Sequence, residues 1–299
     1  MEPEEYLKQI LKNHSIGVDS PEMKKLQETR KDVEALIREK FADCSPTIRY
    51  GGSKVKDTMI IDAYDLDIVS YFPHDDICAG ETLKDIYDNA VNALAEQYYV
   101  EPRRSAIRIR SKDSAHEDFH IDVVPGRFTD DTKSDTFLYQ SGAEKGRLKT
   151  NLDVHIAHIR DSGLVDVIQL AKLWKVRNSI DLKTFGLELL VIKYATNSKK
   201  NHLETGLVSF WEYLRDHGDN ITIEDPANPG GNDLSVLLSD STKALLSMFA
   251  KSALNLVEAG SWESIFGPTE VIEEAEKAVI VERFAPSYAN APKPWLGRK

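Results

Sequence analysis

The segment DLDIVSYF, residues 65–72, constrains the fold more than any other part of this chain. It alternates and is rich in β-forming residues, so it predicts a strand. Residues two positions apart on a strand face the same way, so Asp65 and Asp67 project from one side and Leu66 and Ile68 from the other. Neighbouring carboxylates repel and raise each other's pKa unless a cation lies between them. The segment therefore predicts a strand that binds a divalent cation, a role that suits magnesium.

A third aspartate lies in the segment FHIDVVPG, residues 119–126. Alternation over Phe119–Val124 predicts a second strand, which Pro125 and Gly126 should end. If the two strands are neighbours, Asp122 joins the first two aspartates at one end of the sheet. Three carboxylates can hold two Mg²⁺ or Mn²⁺ ions about 3.5–4 Å apart, which suits in-line displacement at phosphorus. The alternative is that these segments are only polar strand edges.

Gly52 and Ser53 follow a short predicted strand, Thr47–Tyr50. Glycine lets a backbone approach phosphate closely, and a serine hydroxyl together with backbone N–H groups can bind it. An ordinary turn explains this pair when it is taken alone. In combination with the three aspartates further along the chain, the pair favours phosphoryl-transfer chemistry on a triphosphate.

The chain is acidic, with 38 Lys and Arg residues and 49 Asp and Glu residues, which gives 38 − 49 = −11. This balance argues against a stable complex with nucleic acid. We expect a cytoplasmic protein that binds no membrane, because no apolar run reaches ~18 residues and the N-terminus MEPEEYLKQILKNHS lacks an apolar signal core. Cys44 and Cys78 predict no disulfide framework, and we expect inert cysteines in a reducing compartment.

The hydrophobic period changes near residues 140–160, from an α/β first half to a helical second half. The long run from Ser20-Pro21-Glu22 to about Phe41 predicts one amphipathic helix, since a capping hydroxyl, a proline and an acid begin it. The other predicted elements of the first half are helices at 2–13 and 81–97 and strands at 98–100 and 106–110. In the second half we predict helices at 164–177, 184–196 and 243–257, the last capped by Ser239-Asp240-Ser241, a loop at 225–233 and a less patterned tail at 268–299.

The segment GGSKVKDTMIIDAYDLDIV resembles the nucleotidyltransferase signature of the DNA polymerase β superfamily. The spacing from Ser53 to Asp65, 65 − 53 = 12, resembles that of cyclic GMP–AMP synthase and its bacterial relatives. Residues 165–195 and the loop DPANPGGN are similar to segments of 2′-5′ oligoadenylate synthases. The small size resembles the bacterial members of anti-phage operons, the CD-NTases.

The resemblance implies an α+β fold. A polymerase β-like nucleotidyltransferase palm, with a mixed sheet, helices and a long N-terminal helix that braces both lobes, would span residues 1–150. A helical C-terminal domain like that of oligoadenylate synthases would span residues 151–299. The resemblance also implies functional residues: Asp65, Asp67 and Asp122 as catalytic metal ligands, and Gly52, Ser53, Lys172, Thr184 and Phe185 at the nucleotide.

The function that the resemblance implies is template-independent joining of nucleoside triphosphates, ATP among them, into a cyclic oligonucleotide. Two magnesium or manganese ions would assist attack of a ribose hydroxyl on an α-phosphate. The product would act on a separate effector in anti-phage signalling. The alternatives are a linear 2′-5′ oligoadenylate synthase-like enzyme, an RNA-tailing enzyme, or an inactive nucleotide-binding sensor. Base choice, linkage, ring size, activating signal and oligomeric state stay open.

Other features favour ordinary structural roles. HEDFH, residues 116–120, matches a zinc-protease pattern but opens a strand, whereas that chemistry needs a helix. An acid beside a triphosphate is unfavourable, so we leave Asp57 and Thr58 out of the site. We interpret His155 and His158 as residues of a surface helix face, and Asp225 as a residue that braces the helical domain. Arg108 and Arg110 either lie on a solvated strand face or contact acceptor phosphates. A solvated helix face is expected for Glu270, Glu273, Glu274 and Glu276.

Overall fold

A computed structural model of the chain describes residues 1–16, 20–63, 66–112, 120–142, 144–195, 202–232, 234 and 237–269. Several predicted features lie outside these residues. They are Asp65, the first four residues of HEDFH, the end of the helix predicted at 184–196, and the acidic run at 270–276.

Two helices begin the chain, α1 (Pro3–His14) and α2 (Pro21–Lys40). The predicted cap of α2 is confirmed, because the side chain of Ser20 accepts a hydrogen bond from the backbone N–H of Met23 at 3.1 Å. Such a cap satisfies one of the donors that the first turn of a helix leaves unpaired.

A mixed sheet follows, as predicted, and among the described residues it has seven strands where the sequence predicted five. Its central path is β1-β2-β5-β4-β3, and β6 pairs with β5 and β7. Strands β2 and β5 are parallel, and the other pairs are antiparallel. The strands are β1 (Thr47–Gly51), β2 (Leu66–Phe72), β3 (Tyr98–Pro102), β4 (Ile107–Ser111), β5 (Ile121–Phe128), β6 (Thr136–Tyr139) and β7 (Arg147–Thr150). A short helical turn, α3 (Gly52–Val55), follows β1, and α4 (Leu83–Ala95) precedes β3.

Strand β5 does not end at Pro125 and Gly126, so that prediction was wrong. On one side, β2 pairs with β5 as far as Arg127. On the other side, β5 pairs with β4 as far as Val123 and with β6 from Gly126 onward. Pro125 lies in the gap between these two partners, where a missing N–H costs least. At Gly126 a Cβ atom would come within 2.6 Å of a Leu138 methyl carbon, so glycine permits the close approach of β6.

The second half of the described chain is helical. The predicted helices near 164–177, 184–196 and 243–257 are confirmed, and the side chain of Ser239 caps the last of them. The helices are α5 (Leu152–Arg160), α6 (Val165–Arg177), α7 (Thr184–Tyr194), α8 (Leu203–His217), α9 (Asp240–Glu258) and α10 (Glu263–Phe266). Among the described residues, none of the helices combines the length and the apolar character needed to cross a membrane.

Two large apolar clusters stabilise these halves. One cluster joins the sheet to α2 and α4, and the other joins α6, α7, α8 and α9. The sequence assigned the bracing of both lobes to the long helix, but the buried side chains of α2 belong to the sheet cluster. It is α1 that packs into the helical cluster, through Tyr6, Leu7 and Ile10. The division into domains at residue 150 stays a prediction.

Cys44 and Cys78 form a disulfide, so the expectation of no disulfide was wrong. Cys44 follows α2, and Cys78 lies in the segment between β2 and α4, with a Cα–Cα distance of 5.2 Å. The packing explains the proximity, because Phe41 at the end of α2 and Phe72 at the end of β2 meet edge to face at 5.2 Å between ring centroids. A separation of 34 residues conceals this contact in the sequence.

Candidate functional site

Five residues, one from each of five neighbouring strands, are paired in register across the sheet. Gly51 pairs with Asp67, Asp67 with Asp122, Asp122 with Arg108, and Arg108 with Glu101. Residues that are paired in register project from the same face of a sheet. We call these five residues the charged row. The prediction that the Asp67 and Asp122 strands are neighbours is confirmed, and the two aspartates lie directly opposite each other.

Gly51 provides space beside Asp67. A Cβ atom at Gly51 would lie 3.1 Å from the Cβ of Asp67 and 3.5 Å from its Oδ2. A glycine at this position therefore preserves space on one flank of Asp67 that a side chain would fill. Sequence reasoning weighed Gly52 and missed Gly51, although the doubled glycine after a strand was the available signal.

Gly52 and Ser53 come directly after Gly51, at the start of α3. Gly52 has a φ of 77°, a conformation that favours glycine. Ser53 is buried, and its carbonyl accepts the N–H of Thr58 at 2.9 Å. The predicted phosphate-binding turn is thus a tight loop next to Asp67.

The guanidinium of Arg108 forms a bidentate ion pair with the carboxylate of Asp122. Its Nε lies 2.8 Å from Oδ1 of Asp122, and its Nη2 lies 2.9 Å from Oδ2. Both side chains are partly exposed, 24% for Arg108 and 21% for Asp122. The hydrogen bond to Asp122 raises the pKa of Arg108, and the charges of Glu101 and Asp67 add to this effect. Arg108 is therefore paired with the predicted metal ligand, while Arg110 is exposed.

The chemistry of this row fits a hard divalent cation. Asp67 and Asp122 offer carboxylate oxygens, the ligands that Mg²⁺ and Mn²⁺ prefer. Among the described residues, no group of three or more His, Cys, Asp or Glu side chains is arranged to hold a metal ion. The third predicted ligand, Asp65, lies outside them. Two of the three predicted ligands are thus adjacent, and the complete set stays a prediction.

The predicted nucleotide residues of the helical half lie on α6 and α7. Thr184 begins α7, as its predicted position at a helix start required. Phe185 is half-buried, with its ring centroid 4.7 Å from that of His155 and 5.4 Å from Nζ of Lys56. Lys172 is only 1% exposed, and its Nζ donates to the carbonyl of Thr58 at 2.8 Å. The predicted phosphate contact of Lys172 would require this bond to be exchanged.

Glu188, also on α7, is a residue that sequence reasoning missed. It is fully buried, and its carboxylate accepts hydrogen bonds from Nζ of Lys56 and from Oγ1 of Thr58, both at 2.7 Å. We call Lys56, Thr58, Lys172 and Glu188 the buried bridge. It attaches the loop after Ser53 to α6 and α7. The available signal was a lone glutamate in the apolar run LELLVI.

No protein-family model matches the chain, and no curated protein sequence matches it. Solved structures do match. CdnC of Escherichia coli MS115-1 with ATP has a TM-score of 0.67 at 18% identity, over 89% of this chain and 98% of that one. The CD-NTase CdnG of Bradyrhizobium diazoefficiens in complex with GTP has a TM-score of 0.70 at 15% identity, over 93% and 99%. The DncV cyclic AMP–GMP synthase of Vibrio cholerae with the linear intermediate pppA(3′,5′)pG has a TM-score of 0.58 at 16% identity, over 91% and 87%.

This chain has the CD-NTase fold. The resemblance seen in short sequence motifs therefore extends to the architecture of most of the chain. The charged row belongs to the sheet of this CD-NTase fold, and the buried bridge joins that sheet's Ser53 loop to its helices.

Asp225 braces the loop at 225–232 on the helical side of the CD-NTase fold. Its carboxylate accepts hydrogen bonds from the backbone N–H of Ala227 at 2.9 Å and from Nδ2 of Asn232. It is also hydrogen-bonded to Nε2 of His155 at 2.6 Å. Burial would raise the pKa of Asp225, but these partners outweigh it and hold the pKa below its usual range. The bracing role expected for Asp225 is confirmed. His155 is thereby paired with a carboxylate, and burial followed by the charge of His155 lowers the pKa of His158.

Proposed function

We propose that the chain is a template-independent nucleotidyltransferase that joins nucleoside triphosphates into a cyclic oligonucleotide. A ribose hydroxyl of one nucleotide attacks the α-phosphate of another and pyrophosphate leaves. A further attack within the linear intermediate, by a ribose hydroxyl on the α-phosphate of the intermediate's own 5′-triphosphate, closes the ring and releases another pyrophosphate. The reaction type is supported by one observation above others: Asp67 and Asp122 stand directly opposite on parallel strands, beside a glycine-serine turn.

In this proposal the chain's own residues bind and orient the two nucleotides. Asp65, Asp67 and Asp122 would hold two Mg²⁺ or Mn²⁺ ions, which supply charge neutralisation of the triphosphate and a more acidic ribose hydroxyl. Gly52 and Ser53 bind the donor triphosphate with backbone N–H groups and a hydroxyl. Lys172 and Thr184 add phosphate contacts, and Phe185 stacks on a base.

The matched structures support the substrate class. CdnC is known with ATP, CdnG with GTP, and DncV with a linear intermediate in which two nucleotides are already joined. A chain with the same fold and two adjacent carboxylates at the turn is suited to the same substrates. The net charge of −11 also counts against a long RNA acceptor or template.

The biological part of the proposal is bacterial anti-phage signalling. The product leaves the enzyme and activates a separate effector, so no stable complex with that effector is required. The cytoplasmic location and the two domains, 1–150 and 151–299, belong to this proposal.

Incubation of the purified chain with radiolabelled ATP, GTP, CTP and UTP, with Mg²⁺ or Mn²⁺, tests it directly. Small phosphatase-resistant products are expected, and mass spectrometry then gives ring size and bases. Products that phosphatase degrades would indicate a linear synthase, and elongation of added RNA would indicate a tailing enzyme. No turnover with any triphosphate, metal or RNA would leave a nucleotide sensor and overturn the proposal.

A further inference from the structure

Negative and positive side chains lie next to one another along the charged row. Asp67 and Asp122 place two negative groups side by side, and the guanidinium of Arg108 covers both oxygens of Asp122 at 2.8 and 2.9 Å. Beyond it lies Glu101, which pairs with Arg103 at 3.0 Å. Arg108 therefore serves Asp122 as a counter-ion that the chain itself supplies.

We propose that Arg108 is a positioning residue whose charge makes divalent-cation binding by Asp67 and Asp122 depend on a bound nucleoside triphosphate. This inference rests on the proposed function, because it takes the two carboxylates to be metal ligands. In the protein without nucleotide, Arg108 satisfies Asp122 and opposes an incoming cation. The negative charge of a triphosphate compensates for Arg108, and the cations then bind together with the nucleotide.

The physical reason is a balance of charge over a few ångströms. Two carboxylates close together attract a divalent cation, and a fixed positive charge on one of them reduces that attraction. At a partly exposed site the effective dielectric constant is about 20, so one unit charge within about 6 Å changes ion affinity by at least about tenfold. Magnesium usually binds through one or two carboxylates together with substrate phosphates, so a weakened carboxylate pair favours joint binding.

Substitutions of Arg108 can separate the effect of its charge from the effect of its bidentate hydrogen bonding. An arginine presents two parallel N–H groups to a carboxylate, whereas a lysine presents the same charge as a single point. Arg108→Lys therefore keeps the charge and removes the fork, while Arg108→Met removes both. Arg110 supplies a matched control, because it lies two residues along the same strand and is exposed.

Electron paramagnetic resonance of free Mn²⁺ measures cation binding without turnover. The wild-type chain should bind Mn²⁺ weakly alone and at least about tenfold more tightly with a non-hydrolysable ATP analogue. Arg108→Met should bind Mn²⁺ alone about tenfold more tightly than the wild type, so that the analogue adds less. Arg108→Lys and Arg110→Met should each remain within about twofold of the wild type.

An increase in affinity separates this role from a merely structural one, because a damaged site binds cations more weakly. Circular dichroism establishes that each variant is folded, and Arg108→Gln serves as a second neutral variant if Arg108→Met does not fold. Unchanged or weaker Mn²⁺ binding by folded Arg108→Met, or by Arg108→Gln in its place, overturns the proposal.

The same titrations distinguish this inference from the proposed function. With the ATP analogue present, the Asp67→Asn and Asp122→Asn variants should each bind Mn²⁺ more weakly than the wild-type protein. If they do so while Arg108→Met has no effect, only the role of Arg108 is wrong. If neither aspartate variant changes Mn²⁺ binding, both the metal site and the role of Arg108 are wrong.

Discussion

The chain uses similar charged groups in two regions with opposite surroundings. In the charged row, Asp122 and Arg108 are 21% and 24% exposed at the surface of the sheet. In the buried bridge, Glu188 is fully buried and Lys172 is 1% exposed, with Lys56 and Thr58 as hydrogen-bond partners. The partly exposed row places two carboxylates side by side with Arg108 paired to one of them, whereas the bridge surrounds a single buried carboxylate with hydrogen-bond donors.

The difference indicates different roles. Burial of an unpaired charge is costly, so the bridge is stable only when every member has a partner. Like charges at a partly exposed position cost less, and they attract a cation. We therefore expect substitutions in the row to change activity more than stability, and substitutions in the bridge to change stability first.

The largest effect is expected from Asp67→Asn combined with Asp122→Asn. Loss of two metal ligands should lower turnover by a thousandfold or more, on the order of 4 kcal/mol of transition-state stabilisation, with little change in the fold. The measurement is the rate of product formation from radiolabelled triphosphates, with circular dichroism to establish folding. Asp88→Asn on α4, where Asp88 forms an exposed ion pair with Lys84, is the control. Normal product from the folded double variant would contradict the assignment.

Next is Glu188→Ala in the buried bridge. It leaves the ammonium of Lys56 without its carboxylate and should lower the free energy of unfolding by about 3–5 kcal/mol, measured by urea denaturation.

Two controls sharpen that result. Asp88→Ala, in the exposed pair with Lys84, should cost less than about 1 kcal/mol. Lys56→Met together with Glu188→Met should recover part of the loss, because the double variant no longer leaves the Lys56 ammonium without its carboxylate. A Glu188→Ala variant as stable as the wild type would remove the distinction between the two regions.

A smaller effect is expected from Gly51→Ala. The added methyl group would lie 3.1 Å from the Cβ of Asp67 and displace this side chain, and we expect kcat/KM to fall roughly tenfold, about 1.4 kcal/mol. Gly51 has a φ of −117°, which alanine adopts readily, so stability should change by less than about 1 kcal/mol. Unaltered kinetics would show that the space beside Asp67 has no role in the reaction.

The smallest effect concerns Asp225 and pH. Its depressed pKa means that its stabilising contribution is present above the unfolded-state pKa, about 3.9, and is lost as the pH falls through the lower folded-state value. Asp225→Asn should therefore be about 1 kcal/mol less stable than the wild type at pH 6, and the gap should narrow toward pH 3. Urea denaturation across this range measures it. A gap that widens on acidification would reverse the assigned sign.

Local patterns predicted much of this protein. The alternation around Asp67 and Asp122 predicted two strands, and Ser20 and Ser239 predicted two helix starts, because both signals depend on residues a few positions apart. The pairing of these strands followed from a chemical requirement, since carboxylates that share a cation must meet.

Tertiary structure alone decided the partners of the charged groups. Arg108 and Asp122 are 14 residues apart, and Lys56 and Glu188 are 132 residues apart, so no local period relates either pair. The continuation of β5 past Pro125, the disulfide and the position of Lys172 depend in the same way on which elements pack together. Periodicity specifies which face of an element is apolar, whereas long-range packing determines which charges are brought together and which are buried.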